Sequence, residues 1–372
     1  MRVLVVHNRY RLSGGEERAV ELQRDAFDRA GIEHAALLRD SGDIGRLRAG
    51  ASMLRGGYRE SEVADAARSL GADVVHVHNM QPLFGPRALG AARGTGARVV
   101  LQLHNFRLFC SIAVAFRDGA PCFRCRRGLT LPGLALNCRG SLAESAVYAA
   151  SLSQQLGTVL RTVDRFVTLS GYAAGQLVRL GVPEDRLSVV PNYLPDALFA
   201  ERSQADRGAY ALVASRLSQE KGIETAIEAA RLANVPLKIA GDGPLRARLA
   251  GADLLGRVSS GQVRELLDGA AMALVPSLGG DVMPYAALEA MARGVPVVAS
   301  RSGSLPEIVG ADRCVPRARP AAMARAMSVL WDDAGRRRRQ GDELLGRARE
   351  LFDERRYVAE LRRIYDELRS AA

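Results

Sequence analysis

Short apolar runs rich in β-branched residues alternate with longer segments whose apolar residues recur at helical spacing, over nearly all of the 372 residues. This alternation predicts a parallel α/β architecture. A strand covered on both faces reads as an unbroken apolar run, and its crossover helix reads as an amphipathic one. In the first half the pattern predicts strands over 2–7, 34–39, 73–78, 98–104, 165–170 and 187–192, with helices such as 16–30 and 61–70 between them. It then restarts, with strands over 210–215, 236–241, 271–276 and 295–300 and helices beginning near Gly222, Pro244, Gly261 and Pro284. The stretch between the two series, residues 192–208, is turn-rich, polar and without period, and marks a domain boundary. Residues 353–368 form an amphipathic pattern with Tyr357, Leu361, Ile364 and Leu368 on one face, expected to close back over the first domain. The expected organisation is therefore 1–193, carrying a cysteine-rich insert over 106–140, then 194–352, then a closing helix over 353–372. Two domains suit the length, at about 150 residues each.

Composition adds little to this until charge is considered. Hydrophobic residues make up 48% and charged ones 25%, as in ordinary globular chains. The net charge of +11 would suggest nucleic acid or an anionic surface as partner. Yet only Lys221 and Lys238 are lysines, and the arginines are scattered apart from the run Arg336 to Arg339, which reads as a solvated helix face. Nucleic acid is not expected as a partner. The sequence shows no signal-peptide pattern and no apolar run of about 18 residues, so a cytoplasmic location is expected. The stretch RLRAGASMLRGGYR, residues 46–59, reads either as a plain exposed segment or as a peripheral contact with an anionic membrane at the inner face.

In an open parallel sheet, ligands bind beyond the carboxyl ends of the strands. His-Asn ends three of the predicted strands, at His7-Asn8, His78-Asn79 and His104-Asn105, which predicts a polar cleft along one edge. After the first strand, Gly14 and Gly15 precede a helix and suit close backbone approach to a phosphate or a sugar; a plain tight turn is the alternative. In the second series, RLSQEKGIETA places Arg216 and Lys221 around a strand-to-helix loop. Two cations at a helix N-terminus make a cradle for a diphosphate. GDGPLRARL adds a glycine-rich turn with Pro244 at the first helical position. Finally, GGDVMPYAALEAMARG sets Asp281 before a helix opened by Pro284, with Glu289 inside it. Two carboxylates about 10 Å apart, by helix rise, can each hold the hydroxyls of one ring of a two-ring ligand. The amides of Val282, Met283 and Tyr285 lie between them.

These motifs together, with SGSLPEIV at residues 302–309, resemble the retaining glycosyltransferases of glycosyltransferase family 4, in order and spacing across nearly the whole chain. The resemblance implies the GT-B fold, two Rossmann-like parallel-sheet domains facing across a cleft, and transfer of a sugar from a UDP- or GDP-linked donor to an acceptor hydroxyl. The products would be cell-surface polysaccharide, glycolipid or a glycosylated natural product. It implies that Glu289 binds the ribose hydroxyls of the donor and that Asp281, with the amides of Val282, Met283 and Tyr285 and with Pro284 between them, holds the transferred sugar. Arg216 and Lys221 would stabilise the leaving diphosphate, His104 would contact the sugar near its reacting carbon, and Gly14 and Gly15 would meet the diphosphate or the sugar. Val258 would lie against the base. The family pattern has glutamate where Asp281 stands, so this chain has one methylene less there. No Asp-x-Asp metal motif occurs, so no cofactor is expected for the transfer itself.

Four of the five cysteines, Cys110, Cys122, Cys125 and Cys138, cluster after His104. Their spacing is open to two readings: a tetrahedral thiolate zinc site, structural because no coordination position is left for water, or free or redox-labile thiols. Cys314 reads as a lone core residue. Two alternatives to transfer remain, a catalytically silent GT-B binding protein and a nucleotide-sugar epimerase.

Overall fold

The computed structural model describes residues 1–10, 14–249 and 252–371. Its strands are β1 (Arg2–Arg9), β2 (Glu33–Asp40), β3 (Val74–Val77), β4 (Arg98–Leu103), β5 (Phe116–Arg117), β6 (Ala120–Pro121), β7 (Arg165–Thr168), β8 (Leu187–Val189), β9 (Tyr210–Ala214), β10 (Leu237–Ala240), β11 (Asp253–Gly256), β12 (Ala270–Val275), β13 (Val297–Ser300) and β14 (Cys314–Val315). Its helices are α1 (Gly15–Arg29), α2 (Arg46–Arg55), α3 (Glu60–Leu70), α4 (Gly85–Arg93), α5 (Leu131–Ala135), α6 (Leu142–Thr162), α7 (Gly171–Leu180), α8 (Ile223–Ala233), α9 (Ser260–Asp268), α10 (Tyr285–Ala292), α11 (Leu305–Val309), α12 (Pro320–Trp331), α13 (Ala334–Leu351) and α14 (Glu354–Ser370). The chain divides into two compact units: Met1–Ala115, Phe123–Asn192 and Arg355–Ala372 form the first, and Phe116–Cys122 with Tyr193–Glu354 the second.

In the first unit a six-stranded parallel sheet runs in the order β2-β1-β3-β4-β7-β8. Its strand order reverses between β1 and β3, so the loops leaving those two strands diverge and open a crevice at their carboxyl ends. The second unit has the order β11-β10-β9-β12-β13-β14, also parallel, with its reversal between β9 and β12. Both are Rossmann-like sheets, and β12 (AAMALV) is buried along its whole length, as a central strand covered on both faces must be.

Local sequence explains most of the elements. In α14 the apolar residues at helical spacing, Tyr357, Leu361, Ile364 and Leu368, are all buried, together with Val358 and Tyr365. In α9, Ser259 and Gln262 form a capping box. Three expectations need correction. Pro244 does not open a helix: residues 241–245 turn tightly and only a short 3₁₀ segment, Arg246–Leu249, follows. The loop is held instead against the one before it, with Leu245 N–H donating to Leu217 O, and a Cβ on Gly243 would stand 2.5 Å from that same carbonyl. Pro284 is the N-cap of α10 rather than its first residue, its ψ being extended. And the two edge strands β11 and β14, too short to show a period, were not expected.

The arginine run also reads differently once folded. Arg336, Arg338 and Arg339 are exposed on α13, but Arg337 is buried. Its guanidinium donates to the carbonyls of Leu330 and Trp331, the last of α12, and to those of Ala205 and Asp206. Helix C-termini leave carbonyls unpaired, and a cation placed there satisfies them and the dipole together. Replacing Arg337 with Met should destabilise the protein by about 2–4 kcal/mol, since four carbonyls, two of them in buried hydrogen bonds and two in part-buried ones, lose a charged donor. Replacing Arg338 should cost about 0.5 kcal/mol or less. Denaturant unfolding of the two variants checks this; equal costs would mean that the buried contacts contribute nothing.

Candidate functional site

In the second unit, three loops meet at the carboxyl ends of β9, β12 and β13. The loop after β9 carries Arg216, Ser218, Glu220 and Lys221; the loop after β12 carries Ser277 to Asp281; the loop after β13 carries Ser302 to Ser304. Their backbones are laced together. Leu278 and Gly279 donate their N–H groups to Glu220 O, Ser302 Oγ donates to Gly279 O at 2.5 Å, and Ser304 N–H donates to Asp281 O. Gly303 sits at φ +57° with Asp281 O 2.4 Å from where a Cβ would stand, so only glycine allows this approach.

This lacing fixes Asp281 beside Lys221. Lys221 Nζ donates to Asp281 Oδ1 at 2.6 Å, and Ser277 Oγ donates to Oδ2 at 2.6 Å. Arg216 pairs with Glu220 and donates from Nε to Ser218 Oγ, which itself donates to the Glu220 carboxylate. Burial would raise the Glu220 carboxyl, but the Ser218 hydroxyl and the Arg216 charge outweigh it and hold the carboxyl below its usual range. Glu220 thus aims a half-exposed guanidinium at the same edge as Lys221. The two cations at the strand-order reversal are what an anionic ligand needs.

The remaining residues expected in this unit are placed as follows. Val282 and Pro284 are buried, and Met283 and Tyr285 half-buried, where the loop enters α10. Glu289 lies one turn into α10 and lines a small pocket of about 10 Å³ otherwise walled by apolar groups such as Leu212, Val263 and Ala286. Val258 follows β11 and packs against the apolar cluster that contains Leu212 and Leu288.

In the first unit, the three His-Asn pairs do lie at the carboxyl ends of neighbouring strands. Two of the asparagines are structural: Asn8 and Asn79 exchange hydrogen bonds through each other's backbone, and Asn8 Oδ1 accepts from Leu83 N–H. Asn105 instead turns to Glu16, donating to Oε2 at 3.1 Å, where the Tyr10 hydroxyl also donates, at 2.8 Å. The Arg107 guanidinium stacks 4.8 Å above the Tyr10 ring. Burial raises the Glu16 carboxyl, against the opposing pull of His7, Tyr10 and Arg107. These groups line a small pocket of about 30 Å³ with His78, Gln81, His104 and Leu108. Gly14 is the N-cap of α1 and Gly15 its first residue; among the described residues a Cβ on Gly14 would meet Glu17 Oε2, at 3.7 Å. Glu17 accepts from the N–H groups of Tyr10 and Gly14, on either side of residues 11–13.

The four clustered cysteines were open to two readings from sequence, a structural zinc site or thiols without a metal. Among the described residues no group of three or more His, Cys, Asp or Glu side chains is placed to hold a metal ion. None of the four is in a disulfide and all are half-buried; Cys122 groups with the second unit while the other three group with the first. Other contacts hold the segment: Phe106 against Phe123 edge-on at 5.1 Å, Arg139 above the Tyr148 ring at 4.3 Å, and Thr130 Oγ1 donating to Ala149 O at 2.6 Å. Burial raises the Cys110 thiol, with Cys138 adding to the effect. Cys314 is buried, its thiol pushed up to about 11 chiefly by burial.

Sequence reasoning did not find Ser277, Glu220, Glu16, Tyr10, Arg107 or His76. Glu220 and His76 had signals: Glu220 lies four residues after Arg216, and His76 lies two before His78, hence on the same face of one strand.

Residues 3–193 match the family model described as glycosyl transferase 4-like domain, and residues 208–333 the one described as glycosyl transferases group 1. The chain is 33% identical over 229 residues to an MMP alpha-(1->4)-mannosyltransferase of Mycolicibacterium hassiacum, covering 56% of this chain and 55% of that protein. The matched part spans about half the length of the curated relatives. Among solved structures, sucrose-phosphate synthase from Thermosynechococcus elongatus superposes with TM-score 0.71 at 17% identity over 100% of both chains. The Anabaena protein HepE in complex with UDP superposes with TM-score 0.65 at 15% identity, over 99% of this chain and 100% of that one. At these identities the structures speak for the fold, the two-domain GT-B architecture.

The histidines of the first unit give a test of the site's electrostatics. Burial pushes His76 down to about 4 and His104 down to about 3, with neighbouring histidines adding to the effect on His104. An unfolded chain has its histidines near 6.5, so below that pH it binds protons that the folded state refuses. The stabilisation is therefore complete above about pH 6.5 and is lost as pH falls towards 4. Between pH 6.5 and 5 the unfolding free energy should drop by up to about 1.4 kcal/mol per pH unit for each ring. Urea unfolding across that interval, with His76→Asn giving a shallower slope, checks it; a flat profile would refute the buried neutral rings.

Proposed function

The chain belongs to the glycosyl transferase 4-like family, and from that membership we propose that it is a retaining glycosyltransferase, moving a hexose from a UDP- or GDP-linked donor to an acceptor hydroxyl. The observation that carries this reading is the set of Lys221, Asp281, Ser277 and Arg216 at the strand-order reversal of the second unit. Arg216 and Lys221 take the diphosphate and offset its charge as the bond to the sugar breaks. Asp281 accepts from hydroxyls of the transferred sugar, its second oxygen oriented by Ser277. Glu289 accepts from the ribose hydroxyls, and Val258 borders the base. In the first unit, Gly14 and Gly15 meet the diphosphate or the sugar of the donor, and His104 contacts the transferred sugar. Retention follows if the departing phosphate oxygen takes the acceptor's proton on the same face of the sugar, so that no protein nucleophile is used and the bond to the phosphate is replaced by a bond to the acceptor oxygen.

For the acceptor side, α2 supports a peripheral contact with an anionic membrane. Leu47 is 93% exposed and Leu54 42% exposed, beside Arg46, Arg48 and Arg55. Among the described residues no helix is long and apolar enough to cross a membrane.

Calorimetric titration with UDP, GDP and ADP, and then with the matching nucleotide sugars, tests the donor reading. One diphosphate should bind selectively in the micromolar range, and Glu289→Ala should weaken it about tenfold or more. Asp281→Asn should spare the nucleotide and remove the gain contributed by the sugar. A folded protein that binds none of them is not a transferase. Co-sedimentation with anionic vesicles tests the surface: binding at low salt should fall steeply at high salt and be lost in Leu47→Glu. Absence of binding at low salt ends that part of the reading.

A further inference from the structure

Behind His104 lies a buried chain of polar side chains within the first unit. His76 is on β3, His78 follows it, and His104 follows β4. The rings of His76 and His78 stack with centroids 4.8 Å apart, and those of His78 and His104 with centroids 5.1 Å apart. His104 Nε2 meets His78 Nδ1 at 2.8 Å, and His78 Nε2 meets Gln23 Oε1. The same Gln23 amide reaches His76 Nδ1 from its nitrogen at 3.2 Å, and the Tyr365 hydroxyl, from α14, reaches that Nδ1 at 2.5 Å. His76 Nε2 ends the chain on Gln102 Oε1 at 3.0 Å.

With the Gln23 and Gln102 amides in this orientation, the proton positions follow from their carbonyl oxygens, which only accept. Facing Gln23 Oε1 and Gln102 Oε1, His78 and His76 each carry their proton on Nε2. Both rings are neutral, because burial holds them below their usual range. Each Nδ1 is then a bare lone pair. That of His76 accepts from the Gln23 amide and the Tyr365 hydroxyl, and that of His78 accepts from His104. His104 is neutral as well and has one proton to place, so it sits on Nε2.

We infer that His78 is a positioning residue that holds His104 as its Nε2–H tautomer, leaving His104 Nδ1 as a hydrogen-bond acceptor for a hydroxyl of the transferred sugar. Among the described residues His104 Nδ1 makes no hydrogen bond, and the ring lines the pocket shared with Tyr10, Glu16, Asn105 and Arg107. A donating nitrogen there would serve a phosphate or carbonyl oxygen; an accepting one serves a hydroxyl. The asymmetry of the single Gln23 amide, oxygen towards His78 and nitrogen towards His76, sets the choice.

The inference rests on the transferase reading, but its first test needs no substrate. Two-bond ¹H–¹⁵N correlation spectra of the full chain report which ring nitrogen of His104 is protonated. The expected result is Nε2 in the N–H range and Nδ1 in the bare range; the reverse overturns the inference. His78→Phe keeps a flat ring in the stack without the acceptor, and should mix the His104 tautomers and lower kcat about tenfold or more with the donor KM little changed. His78→Asn returns an amide oxygen near the position of Nδ1 and should recover most of that loss. If both variants keep the wild-type Tm and lose activity equally, or if His78→Phe leaves the His104 spectrum unchanged, the inference is wrong. A wild-type protein with the expected tautomer but no transfer from any nucleotide sugar would support the hydrogen-bond chain while overturning the transferase reading.

Discussion

The carboxyl end of a parallel strand is where the sheet's ladder of hydrogen bonds stops, and the backbone groups released there need other partners if they are buried. In both units the loops meet that need by bonding to one another. Leu278 and Gly279 close on Glu220, Ser302 on Gly279, and Ser304 on Asp281. Asn8 and Asn79 do the same across the strand-order reversal of the first unit. Everything functional is mounted on this lacing. It brings Lys221 to Asp281 across 60 residues of sequence, and its tolerance is small, because a single Cβ on Gly303 would drive the Asp281 backbone away.

Charge in the two units is handled in opposite ways. The second unit keeps its groups ionised: Asp281 is paired with Lys221, and Glu220 with Arg216, each within reach of solvent, where an ion pair can be opened by a ligand that offers a better partner. The first unit suppresses charge. His76, His78 and His104 are held neutral by burial, and Glu16 is raised towards its protonated form. Neutral imidazoles have one donor and one acceptor each, so a stack of them has a direction, which a charged imidazolium, with two donors, would not have.

The alternation of strands and helices was legible because it reflects burial, and burial has a period. The boundaries of β1, β4, β9 and α14 agree with the expected ones to within about two residues. What failed were the short elements and the single-residue rules. β11 and β14 are too brief to carry a period, and Pro244, a favourable first residue for a helix, sits in a turn because the loop is bound to Leu217 instead. The cysteine spacing left a zinc site and metal-free thiols both open; in the fold, ring stacking and side-chain hydrogen bonds help to hold the segment.

By itself the sequence determined the two Rossmann-like sheets and the residues at their strand ends, since hydrophobic period and the position of polar groups after each run are local properties of the chain. It also carried the family resemblance, which lies in the order of those motifs. Only the tertiary structure decided which of these residues act together. The partners Ser277 and Lys221 of Asp281, the four carbonyls around Arg337 and the Gln23 amide that orients His78 come from distant segments. Their meeting is a consequence of strand order, which is set by the packing of the whole sheet and not by any window of sequence within it.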